Sequence, residues 1–309
     1  MIRRETRVLK GVALAKRLRA EIGAAGQLLN EQGGRVPVLA TLLVGDDGAA
    51  LAYRSSIQRT FARVQIEHRA VELDGGISPA ELIDTVASLN DDPGITGILV
   101  LMPLPDHLDP HLVLEHLSPL KDVDGITPVN AGRLHLGLPS LRPSTPAGGL
   151  ELLDFHGIDL EGSKITVIGR SNVVGRPLAT LLTQRHATVT LCHTRTHNLA
   201  SETANADIVC IAAGSPALVT GDMVRPGATI LDFGVNVLED GSIVGDADFD
   251  SLIGIAGAIT PVPGGTGPVT ALVLSRNTLA AGFAMIQGSL DHVLLDIPQE
   301  LLDAYVELT

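Results

Sequence analysis

The stretch KITVIGRSNVVGRP, Lys164–Pro177, constrains the fold of this chain more than any other. Four residues suited to a strand, Ile165, Thr166, Val167 and Ile168, run into Gly169, where the chain can reverse without a Cβ clash. Gly175 leaves room for a close approach, and Pro177 stands where the first turn of a helix tolerates a missing N–H. A strand, a glycine turn and a helix N-terminus together predict an anion site, because free amides and the helix dipole converge there. A dinucleotide pyrophosphate is the usual occupant of such a turn. The spacing is not GxGxxG, so an ordinary turn of an α/β domain is the competing reading.

Composition narrows the partners. At 309 residues the chain has length for two lobes, and its 45% hydrophobic content suits a folded protein. A net charge of −13 without a basic run, and 2% aromatic residues, argue against nucleic acid and anionic membranes. The longest apolar run considered, Ile95–Leu104, is short and ends in prolines, so no membrane span is expected. The N-terminal MIRRETRVLKG lacks an apolar core, and no secretory signal is expected. Cys192 and Cys210 fall inside predicted strands as small buried hydrophobes, which points to the cytoplasm.

Along the chain, apolar positions at helical spacing (Val12, Leu14, Ala15, Leu18, Ile22) predict an N-terminal helix within residues 8–30. Strands are predicted at Val36–Val44, Glu67–Leu73 and Gly97–Leu101, with helices at Ala49–Val64 and Ser78–Asn90. Ser78 followed by Glu81 reads as a capping box. Residues 126–149, rich in Gly, Pro and Ser, read as a domain junction. A second series of strands follows at Ile165–Ile168, Thr188–Cys192, Ile208–Ala212, Thr229–Phe233 and Ile255–Ile259, and Thr270–Gln287 reads as a long helix. Strands alternating with helices predict an open parallel sheet.

Seven segments stand in order along the chain, that turn among them: VGDD at Val44–Asp47 with Tyr53 beyond it, MPLP at Met102–Pro105, KDVDG at Lys121–Gly125, RPSTPAG at Arg142–Gly148, GRSNVVGRP at Gly169–Pro177, DFGVN at Asp232–Asn236 and TPVPGGTGPVT at Thr260–Thr270. In this order the chain resembles the bifunctional methylenetetrahydrofolate dehydrogenase/cyclohydrolases, the FolD-like family. The resemblance implies an α/β protein of two lobes with a cleft between them, commonly a homodimer. A folate lobe would take residues 1–143 plus 271–309, the last helix crossing back to it. A Rossmann-like NAD(P)-binding domain with a parallel sheet would take 144–270. The resemblance assigns catalytic positions to Tyr53, Asp124, Ile57 and Leu101, and a tetrahydrofolate-type molecule to Tyr53, Val100, Pro103, Asp124, Pro263, Gly264 and Gly265. A cis X-Pro bond is plausible in the proline–glycine segment. The cofactor would meet Thr145, Gly169, Arg170, Ser171, Val174, Gly175, Thr194, Arg195, Ala213, Gly234, Asn236 and Thr270. Asp124 would accept from the amino-pyrimidinone edge of the pterin, and Tyr53 would stack on it. The family uses no metal, and the histidine groups His107, His111, His116 and His193, His197 carry no HExxH or cysteine set.

Two positions depart from the family. Its lysine one helical turn beyond the tyrosine is here Ile57, and its glutamine in the next strand is here Leu101. Losing one of two bonded partners would strand a buried polar group at about 1–3 kcal/mol, whereas exchanging both for hydrocarbon can be nearly neutral. Arg54 points elsewhere on the helix, and neither it nor Arg59 can deprotonate to serve as a base. Hydride transfer asks for stacking and proximity, while hydrolysis of the methenyl product asks for acid–base help. A dehydrogenase with weak or absent cyclohydrolase activity is therefore expected. The strand ending Cys192-His193-Thr194-Arg195 carries no acid for a ribose 2′-OH, and Arg170 and Arg195 suit a 2′-phosphate, so NADP is expected over NAD. Two alternatives stand: hydride transfer on another C1-bearing pterin or amine, and a non-catalytic folate-binding paralogue.

Overall fold

Two groups of apolar strand segments seed two parallel sheets. The computed structural model describes residues 5–31 and 35–292. In chain order the elements begin with β1 (Arg7–Val8), α1 (Val12–Glu31), β2 (Val38–Val44), α2 (Gly48–Ala62), β3 (Glu67–Leu73), α3 (Pro79–Asp91), β4 (Gly97–Val100), α4 (Pro110–His116), α5 (Pro128–His135) and α6 (Ser144–Phe155). They continue with β5 (Lys164–Ile168), α7 (Gly175–Gln184), β6 (Thr188–Cys192), α8 (Leu199–Ala204), β7 (Ile208–Ile211), β8 (Thr229–Asp232), β9 (Asn236–Val237), β10 (Ile243–Val244), α9 (Phe249–Leu252), β11 (Ala258–Ile259) and α10 (Gly267–Gln287).

The described residues divide into two compact units, one of 17–31, 35–144 and 271–292, the other of 5–16 and 145–270. In the first, β2 is the centre of a parallel sheet in the order β3-β2-β4. Its run VLATLLV is almost wholly buried, as a strand covered on both faces requires, whereas the outer β3 alternates between exposed and half-buried residues. Leu82, Val86 and Leu89 of α3 pack in one core with Val100, Leu104 and Val113. The capping box is present at the start of α3: Ser78 Oγ accepts from the Glu81 amide and Glu81 accepts from the Ser78 amide. Just past the end of that helix the buried Lys121 donates from Nζ to the carbonyls of Leu89 (3.1 Å) and Asp92 (2.7 Å).

The second unit holds six parallel strands in the order β1-β11-β8-β7-β5-β6, with β9 and β10 forming a separate antiparallel pair. Cys192 and Cys210 are buried and free. Residues up to Lys16, expected with the folate lobe, belong here instead. β1 pairs with β11 (Arg7 beside Ala258, Val8 beside Ile259), and Thr6 Oγ1 donates to Ala256 O across 250 residues. A two-residue strand leaves no periodicity to read, so its partner was invisible in the sequence. Residues 293–309 of the expected range lie outside the described residues.

Three further expectations change. The segment 126–149 is no bare junction: Thr127 caps α5 by accepting from the Asn130 amide, Pro128 opens that helix, and α6 starts within the segment. Only Ala258–Ile259 of the strand expected at Ile255–Ile259 is extended into the sheet. Helix α10 is long and apolar enough by length and composition to cross a membrane, contrary to the expectation that no run approaches that length. It is 72% buried, as a core helix is.

Candidate functional site

In the unit built on β2, two loops and one helix bring polar side chains together. Asp47 caps α2, accepting from the Ala50 amide at 2.8 Å. One and a half turns on, Tyr53 is 37% exposed, while Ile57, one turn further, is fully buried. Leu101, just past β4, is 2% exposed. Both residues expected to form an apolar wall are thus closed off from solvent. Arg54 pairs with Glu72 of β3 at 2.7 Å, and Arg59 is exposed to solvent. Val100 is buried at the end of β4, and Pro103 follows Met102 through a cis bond that sequence reasoning placed only in the later proline–glycine segment.

The KDVDG loop carries two carboxylates with opposite environments. Asp122 is fully buried and satisfied, accepting from the amides of Ile126 (3.1 Å) and Thr127 (2.8 Å) and from Asn130 Nδ2 (2.9 Å). Among the described residues Asp124 receives donors from Ser144 alone: its Oγ at 3.1 Å and its amide at 3.4 Å, both to Oδ1. Burial, reinforced by the neighbouring Asp122 charge, pushes the Asp124 carboxyl up to about 7 against the Ser144 hydrogen bonds. The Tyr53 phenol is raised by burial of its hydroxyl end and by the Asp124 charge, while the Ser144 hydroxyl opposes the rise. Tyr53, Asp124 and Ser144 therefore form one cluster with an under-satisfied carboxylate at its centre. Asn277 of α10 pins both loops, donating from Nδ2 to Val123 O and Arg142 O at 2.8 Å each. Ser144 and Asn277 were missed in the sequence. Ser144 adjoins the expected Thr145, and Asn277 was signalled by a lone amide in an apolar helix.

The other unit carries the expected nucleotide residues. A Cβ at Gly175 would lie 1.9 Å from Gly169 O, and one at Gly169, where φ is +115°, would lie 2.1 Å from Ala212 O. Glycine at both places lets the turn, the start of α7 and the loop after β7 touch. The helix N-terminus itself is less free than expected. Ser171 Oγ accepts from the amides of Val174 (3.1 Å) and Gly175 (3.5 Å), Arg176 N donates to Ser171 O, and Pro177 has no N–H. The donors left for an anion are those of the turn: among the described residues none of the amides of Arg170, Ser171, Asn172 and Val173 has an acceptor.

Strand β5 has β6 on one side and β7 on the other, so the chain changes direction across the sheet between β5 and β7. The crevice at such a switch point, outside the carboxyl ends of the strands, is where open α/β sheets take their ligands. Arg170, Thr194 and Arg195 are exposed at these strand ends, with no carboxylate in His193–Arg195. These features fit an NAD(P) dinucleotide.

Three expected contacts are already engaged within the protein. The amides of Ala213 and Gly214 donate to Asp246 Oδ2 (2.7 and 2.9 Å), and those of Ser215 and the Asn236 side chain donate to Asp246 Oδ1 (2.9 Å each). The Gly234 amide donates to Asp232 Oδ1 at 2.7 Å. Asp232 also accepts from the amides of Asp246 and Ala247, and burial raises it to about 6. Neither acid was given a role in the sequence, where Asp232 fell in a predicted strand and the DFGVN segment and Asp246 drew no reading. Thr145 and Thr270 are half-buried, the latter donating to Thr266 O. Pro263, Gly264 and Gly265 follow β11, with a cis Val262–Pro263 bond and the Gly265 amide donating to Pro261 O. Among the described residues no group of three or more His, Cys, Asp or Glu could hold a metal.

The tetrahydrofolate dehydrogenase/cyclohydrolase catalytic domain matches residues 9–124, and the corresponding NAD(P)-binding domain matches residues 143–285. The bifunctional protein FolD of Chloroflexus aurantiacus is 52% identical over 275 residues, covering 89% of this chain and 96% of that protein. The crystal structure of the bifunctional FolD dehydrogenase/cyclohydrolase from Campylobacter jejuni shares 41% identity at a TM-score of 0.86, covering 90% of this chain and 98% of that one. The Trypanosoma brucei FolD structure, complexed with NADP cofactor and inhibitor, shares 34% identity at a TM-score of 0.86, covering 92% and 99%. With both domains matched in order over most of its length, the chain belongs to the tetrahydrofolate dehydrogenase/cyclohydrolase family.

Proposed function

We propose that this protein oxidises 5,10-methylenetetrahydrofolate to 5,10-methenyltetrahydrofolate with NADP, and that hydrolysis of the methenyl product is weak or absent. One observation carries the division of labour. The Tyr53, Asp124 and Ser144 cluster is in place, while the positions of the family's lysine and glutamine are hydrocarbon with 0% and 2% exposure.

The Asp124 carboxylate has one oxygen held by Ser144 and one free to accept from a pterin's amino-pyrimidinone edge, and Tyr53 presents a partly exposed ring beside it. These groups bind and orient. When bound, the nicotinamide accepts the hydride, and that step asks no side chain to move a proton. The methenyl cation is stabilised by its own two nitrogens. Its hydrolysis needs a water activated and a tetrahedral adduct resolved, work for which positioned acid–base groups contribute about 10²–10⁴-fold. Ile57 and Leu101 supply no such group, and Arg54 is committed to Glu72. The Campylobacter jejuni relative carries both activities in its name, and the proposal gives this chain one of them. NADP is favoured over NAD by Arg170 and Arg195 at the strand ends and by the missing acid after β6.

The test follows reduced cofactor and methenyl absorbance together, starting from methylenetetrahydrofolate with NADP or NAD. The expected result is accumulating methenyl product and faster turnover with NADP. Hydrolysis keeping pace with oxidation would overturn the division, and equal efficiency with NAD would overturn the cofactor preference.

A further inference from the structure

We propose that Asp246 is a positioning residue for the dinucleotide: its carboxylate fixes the Ala213–Ser215 loop as the second wall of the crevice between β5 and β7. The inference rests on the dinucleotide-binding reading above and adds a residue to it. The first wall is the Gly169–Val174 turn. The second begins at Ala212, whose carbonyl is so close to Gly169 that no side chain fits between them. A loop in that place has three consecutive amides, those of Ala213, Gly214 and Ser215, and all three converge on the one buried carboxylate. The fourth donor to that carboxylate, Asn236 Nδ2, comes from β9, so Asp246 ties two segments of the crevice region to one point.

The direction of these amides is the informative part. Three N–H groups in a row ordinarily make a concavity for an external anion. Here the anion is built in, from a residue 31–33 positions further along the chain. The loop thus reaches its conformation before any ligand arrives and meets the nucleotide with its outward face: the side chains and carbonyls of Ala213–Ser215 and the packed backbone at Ala212. Preorganisation of this kind lowers the ordering cost of binding. Asparagine cannot replace the carboxylate, because each oxygen of Asp246 faces two donors. Whichever way the amide turns, its NH₂ meets two N–H groups.

The experiment titrates NADPH fluorescence on the full chain and on Asp246→Asn, with folded fraction read by circular dichroism. It also measures hydrogen exchange of the 213–215 amides in the unmodified protein before and after NADPH. Expected are a tenfold or greater rise in the NADPH Kd, kcat at saturating cofactor within about threefold, and slow exchange at 213–215 that NADPH changes little. An unchanged Kd in folded Asp246→Asn overturns the proposal. Should that variant fail to fold, the exchange data decide: slow amides before NADPH support it, and fast amides that become slow only with NADPH overturn it. Failure of the unmodified chain to bind NADPH would instead remove the dinucleotide reading itself, and the proposal with it.

Discussion

The two units prepare their candidate sites in opposite ways. Around the crevice of the β5 unit many polar groups are spent before a ligand comes: Ser171 Oγ takes the amides that lead into α7, Asp246 holds the loop after β7, and Asp232 holds the start of the next one. What remains is the exposed Arg170, Thr194 and Arg195 together with backbone, the four turn amides and close glycine contacts. In the β2 unit the order is reversed. Asp122 and Asn277 do the holding, and two residues from the satisfied Asp122 stands Asp124 with a partner on one oxygen only. A dinucleotide offers phosphates that repeat across many ligands, and a rigid amide-lined crevice suits them. A pterin edge carries a specific donor pattern, and a single side chain left unsatisfied at some electrostatic cost can read it.

The largest effect that would test this contrast is structural. Replacing Gly175 by alanine drives a Cβ into a backbone carbonyl that cannot rotate away. The loss should be about 3–5 kcal/mol, among the larger values for a single substitution. Urea unfolding measures it, and a loss below 1 kcal/mol would show the crevice to be soft. Next comes Asp124→Ala, which leaves the fold's holding contacts intact. A charge-assisted hydrogen bond of about 1.5–3 kcal/mol predicts roughly a 10- to 100-fold fall in kcat/KM for the folate. The NADPH Kd should stay unchanged, since the nucleotide is read by the other unit.

Much of this was legible in the sequence, for reasons specific to each segment. The strand β3 and the capping box of α3 were readable because composition, alternation and local hydrogen bonding all act within a few residues. The turn at Gly169 was readable because glycine is demanded by sterics that a short motif expresses. Long-range contacts were not readable. Nothing local in Thr6-Arg7-Val8 points to a partner near residue 258, and nothing local in Asp246 points to Ala213. The capping of α7 by Ser171 was hidden for another reason: the same serine could have met a phosphate, and only geometry decides which partner it takes. At Ile57 the sequence offered a reading by resemblance, and the residue's complete burial is a tertiary fact.

Titration supplies a finer test. Asp124 keeps its proton up to about 7 in the folded protein but has an ordinary value of 3.8. The folded state therefore binds more protons than the unfolded one between these values, and Asp124's contribution to stability falls as pH rises through that window. Folate binding needs the acceptor form, so kcat/KM should rise with pH and level off above about 7. Ser144→Ala removes the hydroxyl that favours the charged form, and the inflection should move to higher pH with a severalfold rise in KM below it. An inflection that stays in place would mean that Ser144 supports the loop without tuning the acid.

A gain in place of a loss should come from installing the pair on which the proposed lack of hydrolysis turns. Ile57→Lys combined with Leu101→Gln reintroduces an amine and an amide into a place that is now closed hydrocarbon. Each alone buries a polar or charged group without its partner, at about 1–3 kcal/mol or more, and should lower stability with no gain in hydrolysis. Together they can satisfy one another, and hydrolysis of methenyltetrahydrofolate should rise about tenfold, short of the ~10²–10⁴ that a fully positioned acid–base pair contributes. The shortfall follows from packing: Ile57 and Leu101 are each buried, and a lysine put into a dense core begins with the wrong rotamers and no path for water. If the double variant instead hydrolysed at the ~10²–10⁴ advantage of a fully positioned acid–base pair, the closed packing would carry no part of the proposed specialisation, which would rest on the two side chains alone.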